Sequence, residues 1–235
     1  MHLSQIQLNP RRREAGVLLA SPHRLHAAVL AAFPDPSPRA TGRVLWRLDA
    51  DEHRTVLRIV SPSAPDLTHI AEQAGWPTLA ETWAVHPYGR VLDRIEEGQA
   101  YGFRLTANPV HSRRLPSGER GKVYGHVTVA QQQQWLLDRQ DQLGFRVAMA
   151  DMGSDRIDID APVTDSAGET PLALQITDRR TLQFSRRETS VTLRVATYQG
   201  VLRVTDQDLF VRALSFGIGR GKGYGCGLMT IAPTR

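Results

Sequence analysis

Between Gly217 and Gly227 every second residue is glycine, in the run GIGRGKGYGCG, with Arg220 and Lys222 set between them. Side chains large enough to cover the backbone are almost absent there, while two positive charges remain. A large anion can lie directly against the peptide N–H groups of such a stretch. The plainer alternative is a tight or flexible turn leading into a last strand, GLMTIAP. The charge balance favours the anion. Lys+Arg total 29 against 24 Asp+Glu, and only Lys122 and Lys222 are lysine. The excess is thus arginine, the side chain suited to bidentate phosphate contact.

The run matches no nucleotide-binding fingerprint. Lys222 is followed by glycine rather than Ser or Thr, and the glycines precede a strand instead of opening a helix, which excludes both the Walker A loop and the dinucleotide motif. There is no GxSxG and no paired-carboxylate arrangement suited to two-metal hydrolysis. Cys226 is the single cysteine, so an internal disulfide and a thiolate metal cluster are excluded. No apolar run approaches the ~20 residues of a membrane span, and the opening MHLSQIQLNPRRR lacks a secretory apolar core. A cytoplasmic protein without membrane contact is the expectation.

At 235 residues the chain can form one large domain or two small ones. Residues 1–9 alternate as a strand, with Leu3 or its neighbours facing a core. Ser21 caps and Pro22 opens a helix reaching Phe33, stopped by PDPSP. Val44–Leu48 and Thr55–Val60 form a strand pair joined by an acidic turn. Asp66 caps a second helix on the spacing of Leu67, Ile70, Ala71 and Ala74, and a short strand follows near Trp83–Val85. This order, β-α-β-β-α-β, is ferredoxin-like. The expected division is residues 1–86, a linker at 87–94, and 95–235.

The second unit repeats the order in part. Extended stretches are expected at Tyr101–Ala107 and Val123–Val129, then a helix from about Gln131 to Leu143, ended by Gly144 before a strand at Phe145–Ala150. Residues 151–173 read as a polar excursion. Thr189–Tyr198 and Val201–Thr205 are predicted to form a hairpin turning at Gln199-Gly200. Asp206 caps a helix bearing Leu209, Phe210, Ala213 and Leu214, and the glycine loop feeds the last strand. The fold class is α+β, two ferredoxin-like (βαββαβ) units in tandem.

All eight histidines lie at or before residue 126. His23 and His26 are three apart on one helix and so occupy adjacent turns. With Leu25, Val29 and Phe33 as the core stripe, His26 falls at its edge, held by packing with one ring nitrogen reachable. His23 lies further toward solvent. An amphipathic helix with two incidental histidines is the competing reading. A metal site is disfavoured, because the spacing is not HExxH and the helix carries no carboxylate. RNA would suit this pair. It supplies its own nucleophile, the 2′-hydroxyl, and needs a base, an acid and positive charge on the phosphorane, but neither metal nor cofactor.

Four arginine groupings could hold such a substrate. Arg11, Arg12 and Arg13 follow the first strand. Arg113 and Arg114, with Arg120 and Lys122, lie ahead of the Val123 strand. Arg179-Arg180 and Arg186-Arg187 bracket Thr181–Ser185. Each is compatible with a solvated cluster, but their recurrence in loops beside strands favours a phosphate track. Tyr88 and Tyr224 are candidates to stack on a flipped base.

These residues resemble the CasE family of CRISPR-associated endoribonucleases. The resemblance runs through Leu8-Asn9-Pro10, Leu25-His26, Leu45-Trp46-Arg47-Leu48, the segment Phe103–Pro109 (FRLTANP), Trp135-Leu136, Gly200-Val201-Leu202 and the tail Gly217–Leu228. It implies two tandem ferredoxin-like domains of the RAMP type and metal-independent cleavage at the base of a CRISPR repeat stem-loop RNA. It also implies retention of the guide RNA among other subunits of the type I-E surveillance complex. His26 would be the catalytic histidine. Gly219, Arg220, Gly221, Lys222, Gly223, Tyr224 and Gly225 would form the RNA-contacting loop. Many relatives carry tyrosine where this chain has His23. Some use a second-domain lysine, for which Arg186 or Arg187 would substitute electrostatically. Arginine is a poor acid, so proton delivery would fall to His26 or His23. A noncatalytic RNA-binding subunit and a small-molecule phosphate-binding enzyme are the rival readings.

Overall fold

The computed structural model describes residues 1–79, 81–112, 123–150, 172–186 and 189–234. Along the first half run β1 (His2–Leu8), α1 (Arg13–Leu19), α2 (Pro22–Leu30), β2 (Leu45–Ala50), β3 (Thr55–Ser61), α3 (Thr68–Ala74), β4 (Trp83–Pro87) and α4 (Gly89–Leu92). The second half holds β5 (Ala100–Ala107), β6 (Val110–Ser112), β7 (Val123–Gly125), α5 (Val129–Leu137), α6 (Gln140–Leu143), β8 (Phe145–Val147), β9 (Leu174–Arg186), β10 (Thr189–Val204), α7 (Gln207–Phe216) and β11 (Met229–Pro233).

The first sheet has the order β2-β3-β1-β4, all antiparallel. The second has β11-β5-β10-β8, again antiparallel, with β9 added to β10. Each places the first strand of its unit beside the third and last, the ferredoxin-like arrangement predicted from element order. Among the described residues no helix is long and apolar enough to cross a membrane.

Strand alternation distributes the core. Trp46, Leu57 and Ile59 join Ile6, Leu8, Leu25, Val29 and Ile70 beneath α2 and α3. Leu45 and Val60 point the other way and join the second unit's core around Phe103, Leu105, Trp135, Phe145, Tyr198 and Phe210. Leu3 packs against that second cluster, while Ser4, Ile6 and Leu8 are the buried members of β1. Two helix starts follow their caps: Ser21 Oγ accepts from Arg24 N and Asp206 Oδ1 from Leu209 N. Asp66, expected to cap α3, is not its cap: the N-cap is Leu67, without a side-chain bond, and Asp66 Oδ1 accepts from Thr68 N one residue further out.

Arg47 ties the units together. It is 1% exposed and lies on β2. Its guanidinium grips both oxygens of Asp49 at 2.8 and 2.9 Å, and it donates to Arg104 O on β5, Leu228 O and Thr230 Oγ1 on β11. Burial acts to raise the Asp49 carboxyl, but Arg47, Arg104 and Arg58 outweigh it and hold it below the ordinary carboxylate value.

Two further expectations are corrected. Gln199-Gly200 is no turn: both sit inside the 16-residue β10. The glycine is needed because a Cβ at Gly200 would run into the Ala173 carbonyl, where Val201 N also bonds. The hairpin partner of β10 is instead β9, which pairs from Arg186–Thr189 back to Leu174–Gly200. The helix expected across 131–143 is two pieces, α5 behind a Thr128–Gln131 capping box and α6 ended by Gly144 at φ 71°. A helix not expected from the sequence, α1, begins at Arg13, the last of the Arg11–Arg13 run.

Candidate active site

The glycine run is pinned at its neck. Gly217 N bonds Ala213 O at the end of α7, Ile218 N bonds Gly227 O, and Gly227 N bonds Thr106 O on β5. Arg220 makes an isolated bridge to Asn108, of the FRLTANP segment. Inside the neck the loop folds back through a single 3-10 turn at Lys222–Tyr224, which packs on α2 and β2. The loop is therefore an ordered wall against the first unit.

Two glycines let the wall come close. Gly225 has φ 80°, and a Cβ there would lie 2.8 Å from Cζ3 of Trp46. At Gly223 a Cβ would meet Nε2 of His26 at 3.2 Å. The bare backbone lets the loop approach the catalytic candidate closely. Gly225→Ala should cost about 1–2 kcal/mol in backbone conformation alone and displace the loop from Trp46. Denaturant unfolding should show that loss, together with reduced RNA cleavage.

His26 is half-buried at the edge of the α2 stripe, whereas Leu25 and Val29 are buried and His23 is exposed. Trp46 Nε1 donates to His26 Nδ1 at 3.1 Å, and the two rings stack with centroids 6.4 Å apart. His23, His26, Arg43 and Gly219–Tyr224 together line an open cleft of 480 Å³. Burial, and secondarily Arg43, lowers the Lys222 ammonium from its ordinary value. Tyr224 packs on Phe184 of β9, centroids 4.8 Å apart. Burial pushes the Cys226 thiol up to about 12, with Arg180 of β9 pulling the other way. The β9–β10 arm thus stands beside the loop.

The candidates divide accordingly. His23, His26, Gly219, Arg220, Gly221, Lys222, Gly223 and Tyr224 come together in the cleft. Arg12 instead bonds Gly75 O near the far end of β1, and Arg11–Arg13 do not line it. Arg179 donates to Val127 O, and Arg180 pairs with Asp178 at 2.8 Å. Arg113, Arg114, Arg120, Lys122 and Arg187 lie outside the described residues, as does the side chain of Arg186. Tyr88 is buried, and burial raises its phenol beyond its ordinary range. Stacking on a base is therefore closed to it. Sequence reasoning missed Arg43, which lines the cleft with His26, and Trp46, which bonds it; tertiary folding alone brings both there. Among the described residues no group of three or more His, Cys, Asp or Glu is placed to hold a metal ion.

Comparison with known proteins places this arrangement. The chain is 28% identical over 236 residues to the CRISPR-associated endoribonuclease Cse3 of Thermus thermophilus, covering 99% of this chain and 100% of that protein. Cse3 bound to a 19 nt RNA superposes with a TM-score of 0.72 at 28% identity, covering 99% of this chain and 98% of that one. Thermus thermophilus Cse3 bound to an RNA representing a pre-cleavage complex gives 0.72 at 27% over the same shares. Cas6e from Escherichia coli shares the fold, with a TM-score of 0.60 at 18% identity over the full length of both chains. The family described as CRISPR associated protein matches residues 1–233, and this chain belongs to it.

Proposed function

We propose that this protein is an endoribonuclease that processes CRISPR repeat stem-loop RNA without a metal ion, leaving a 2′,3′-cyclic phosphate and a 5′-hydroxyl. One observation carries the reading. A half-buried imidazole, a second imidazole, a guanidinium and a half-buried ammonium meet at His26, His23, Arg43 and Lys222, under a wall of bare backbone. The similarity to Cse3 over nearly the whole chain supports the same class of activity.

The chemistry follows from what RNA brings. The 2′-oxygen forms its bond to phosphorus as the bond to the 5′-oxygen breaks. The 2′-proton must be taken and the departing oxygen must receive one. The two histidines are the imidazoles of the cleft, and an imidazole has one nitrogen to accept a proton and one to give it. Arg43 and Lys222 place positive charge where the phosphorane develops it. Arg220 and the β9–β10 arm extend the basic surface from the cleft. The RNA stem is the proposed partner, and further subunits of a surveillance complex would hold the product.

Incubation of the full chain with its repeat RNA in EDTA tests the proposal. Cleavage should continue and give the cyclic phosphate. A 2′-deoxy substitution at the scissile ribose should stop cutting while binding is largely retained. Strict dependence on added Mg²⁺ would remove the mechanism. Binding with no product at all would leave a noncatalytic RNA-binding subunit.

A further inference from the structure

We propose that Trp46 is a positioning residue whose indole N–H holds Nδ1 of His26 as an acceptor, so that the neutral ring carries its proton on Nε2, beside the glycine loop. The argument needs only the inventory of the two side chains. An indole N–H can donate and cannot accept. Its 3.1 Å contact with Nδ1 therefore requires the lone pair on that nitrogen. The one proton of a neutral imidazole then resides on Nε2, the atom that lies 3.2 Å from where a Cβ of Gly223 would stand. The other tautomer would set two N–H groups head to head, and so would the imidazolium.

Neighbouring charge acts in the same sense. His23, Arg43, Arg220 and Lys222 share the cleft, all cationic or neutral. The other elements packed on α2 carry both signs and one more imidazole: Arg13 and Glu14 on α1, Arg179 with the Arg180–Asp178 pair on β9, and His69 on α3, which bonds Ala28 O at 2.9 Å. Lys222 is already lowered by burial and by Arg43, so the cleft resists added positive charge. Trp46 itself is 2% exposed and fixed among Ile59, Leu25 and Val29 in the first core.

The consequence for the reaction rests on the endoribonuclease reading; the tautomer does not. With its proton on Nε2, His26 has no lone pair there to accept the 2′-hydroxyl proton. It faces the cleft as a donor, and its N–H bonds an oxygen of the scissile phosphate more strongly as negative charge builds on that oxygen. Removal of the 2′-proton then falls to another group, and His23 shares the cleft; the proton it takes up is the one returned to the departing 5′-oxygen.

The test uses the full chain labelled with ¹⁵N at histidine, without RNA, and the His26→Asn spectrum to assign the resonance. Long-range ¹H–¹⁵N correlations should show Nε2 protonated and Nδ1 bare in the wild-type protein near neutral pH. A proton on Nδ1 overturns the proposal. Trp46→Phe keeps a ring in the core and deletes the donor. Because a hydrogen bond made to the neutral form opposes charging, the His26 titration midpoint should then move up by about one pH unit. An unchanged midpoint in a variant that melts like the wild type also overturns it. Should Trp46→Phe not fold, the wild-type spectrum decides alone. Neither readout involves cleavage, so loss of this inference and loss of the endoribonuclease reading are distinguishable.

Discussion

His26→Ala is expected to slow cleavage of the repeat hairpin by about 10²–10⁴-fold, the range spanned by one positioned proton-transfer group or one donor aimed at developing charge. RNA affinity should stay within a few-fold of wild type, because Arg43, Arg220 and Lys222 still line the cleft. Single-turnover rates and an equilibrium binding assay on the same RNA separate the two. An incidental histidine on an amphipathic helix would leave both unchanged. The fold should survive the change: His26 is only half-buried, and the buried stripe of α2 is carried by Leu25 and Val29.

Arg47→Ala should produce the largest loss of stability, about 3 kcal/mol. Breaking a buried pair by removing one partner costs roughly 3–5 kcal/mol. The lower end applies because Asp49 keeps Arg58 at 3.0 Å and Arg104 at 3.4 Å. The carbonyls of Arg104 and Leu228 also lose their donor, at β5 and β11. Denaturant unfolding at neutral pH measures this.

The pH dependence of that loss has a defined sign. Asp49 is lowered in the folded chain relative to its ordinary value of 3.8. Its stabilising contribution is therefore fully present above that value and fades as pH falls through the depressed native one. In Arg47→Ala the strongest partner is gone, so the gap between variant and wild type should narrow below about pH 4. A gap that stays constant from pH 7 to pH 3 would mean that the carboxylate contributes nothing through Arg47.

Much of this was visible in the chain before any coordinates. Element order alone led to paired ferredoxin-like sheets, because caps at Ser21 and Asp206 and the alternation in β1 are local signals. His26 stood out for the same reason, at the edge of a stripe read from spacing. What escaped were effects of tertiary approach. Gly200 looked like a turn residue, since a glycine that admits a neighbouring carbonyl is indistinguishable in sequence from one that reverses the chain. The short α1 has no side-chain cap at Arg12 to announce it. Lys222 read as a grip on phosphate, and only folding sets it in one cleft with His23 and His26. Trp46 lies 20 positions from the histidine it contacts and reads simply as core.

The unbroken course of β10 has a mechanical meaning. Its Val201–Arg203 end is clamped between β5 and β8, and its Thr189 end projects with β9 as the arm. At the root the β9–β10 register shifts between Thr197 and Tyr198, the extra residue lying in β9, so a load on the arm enters the middle of the second sheet through β10. Whatever seizes the arm also twists the platform on which the glycine wall is anchored.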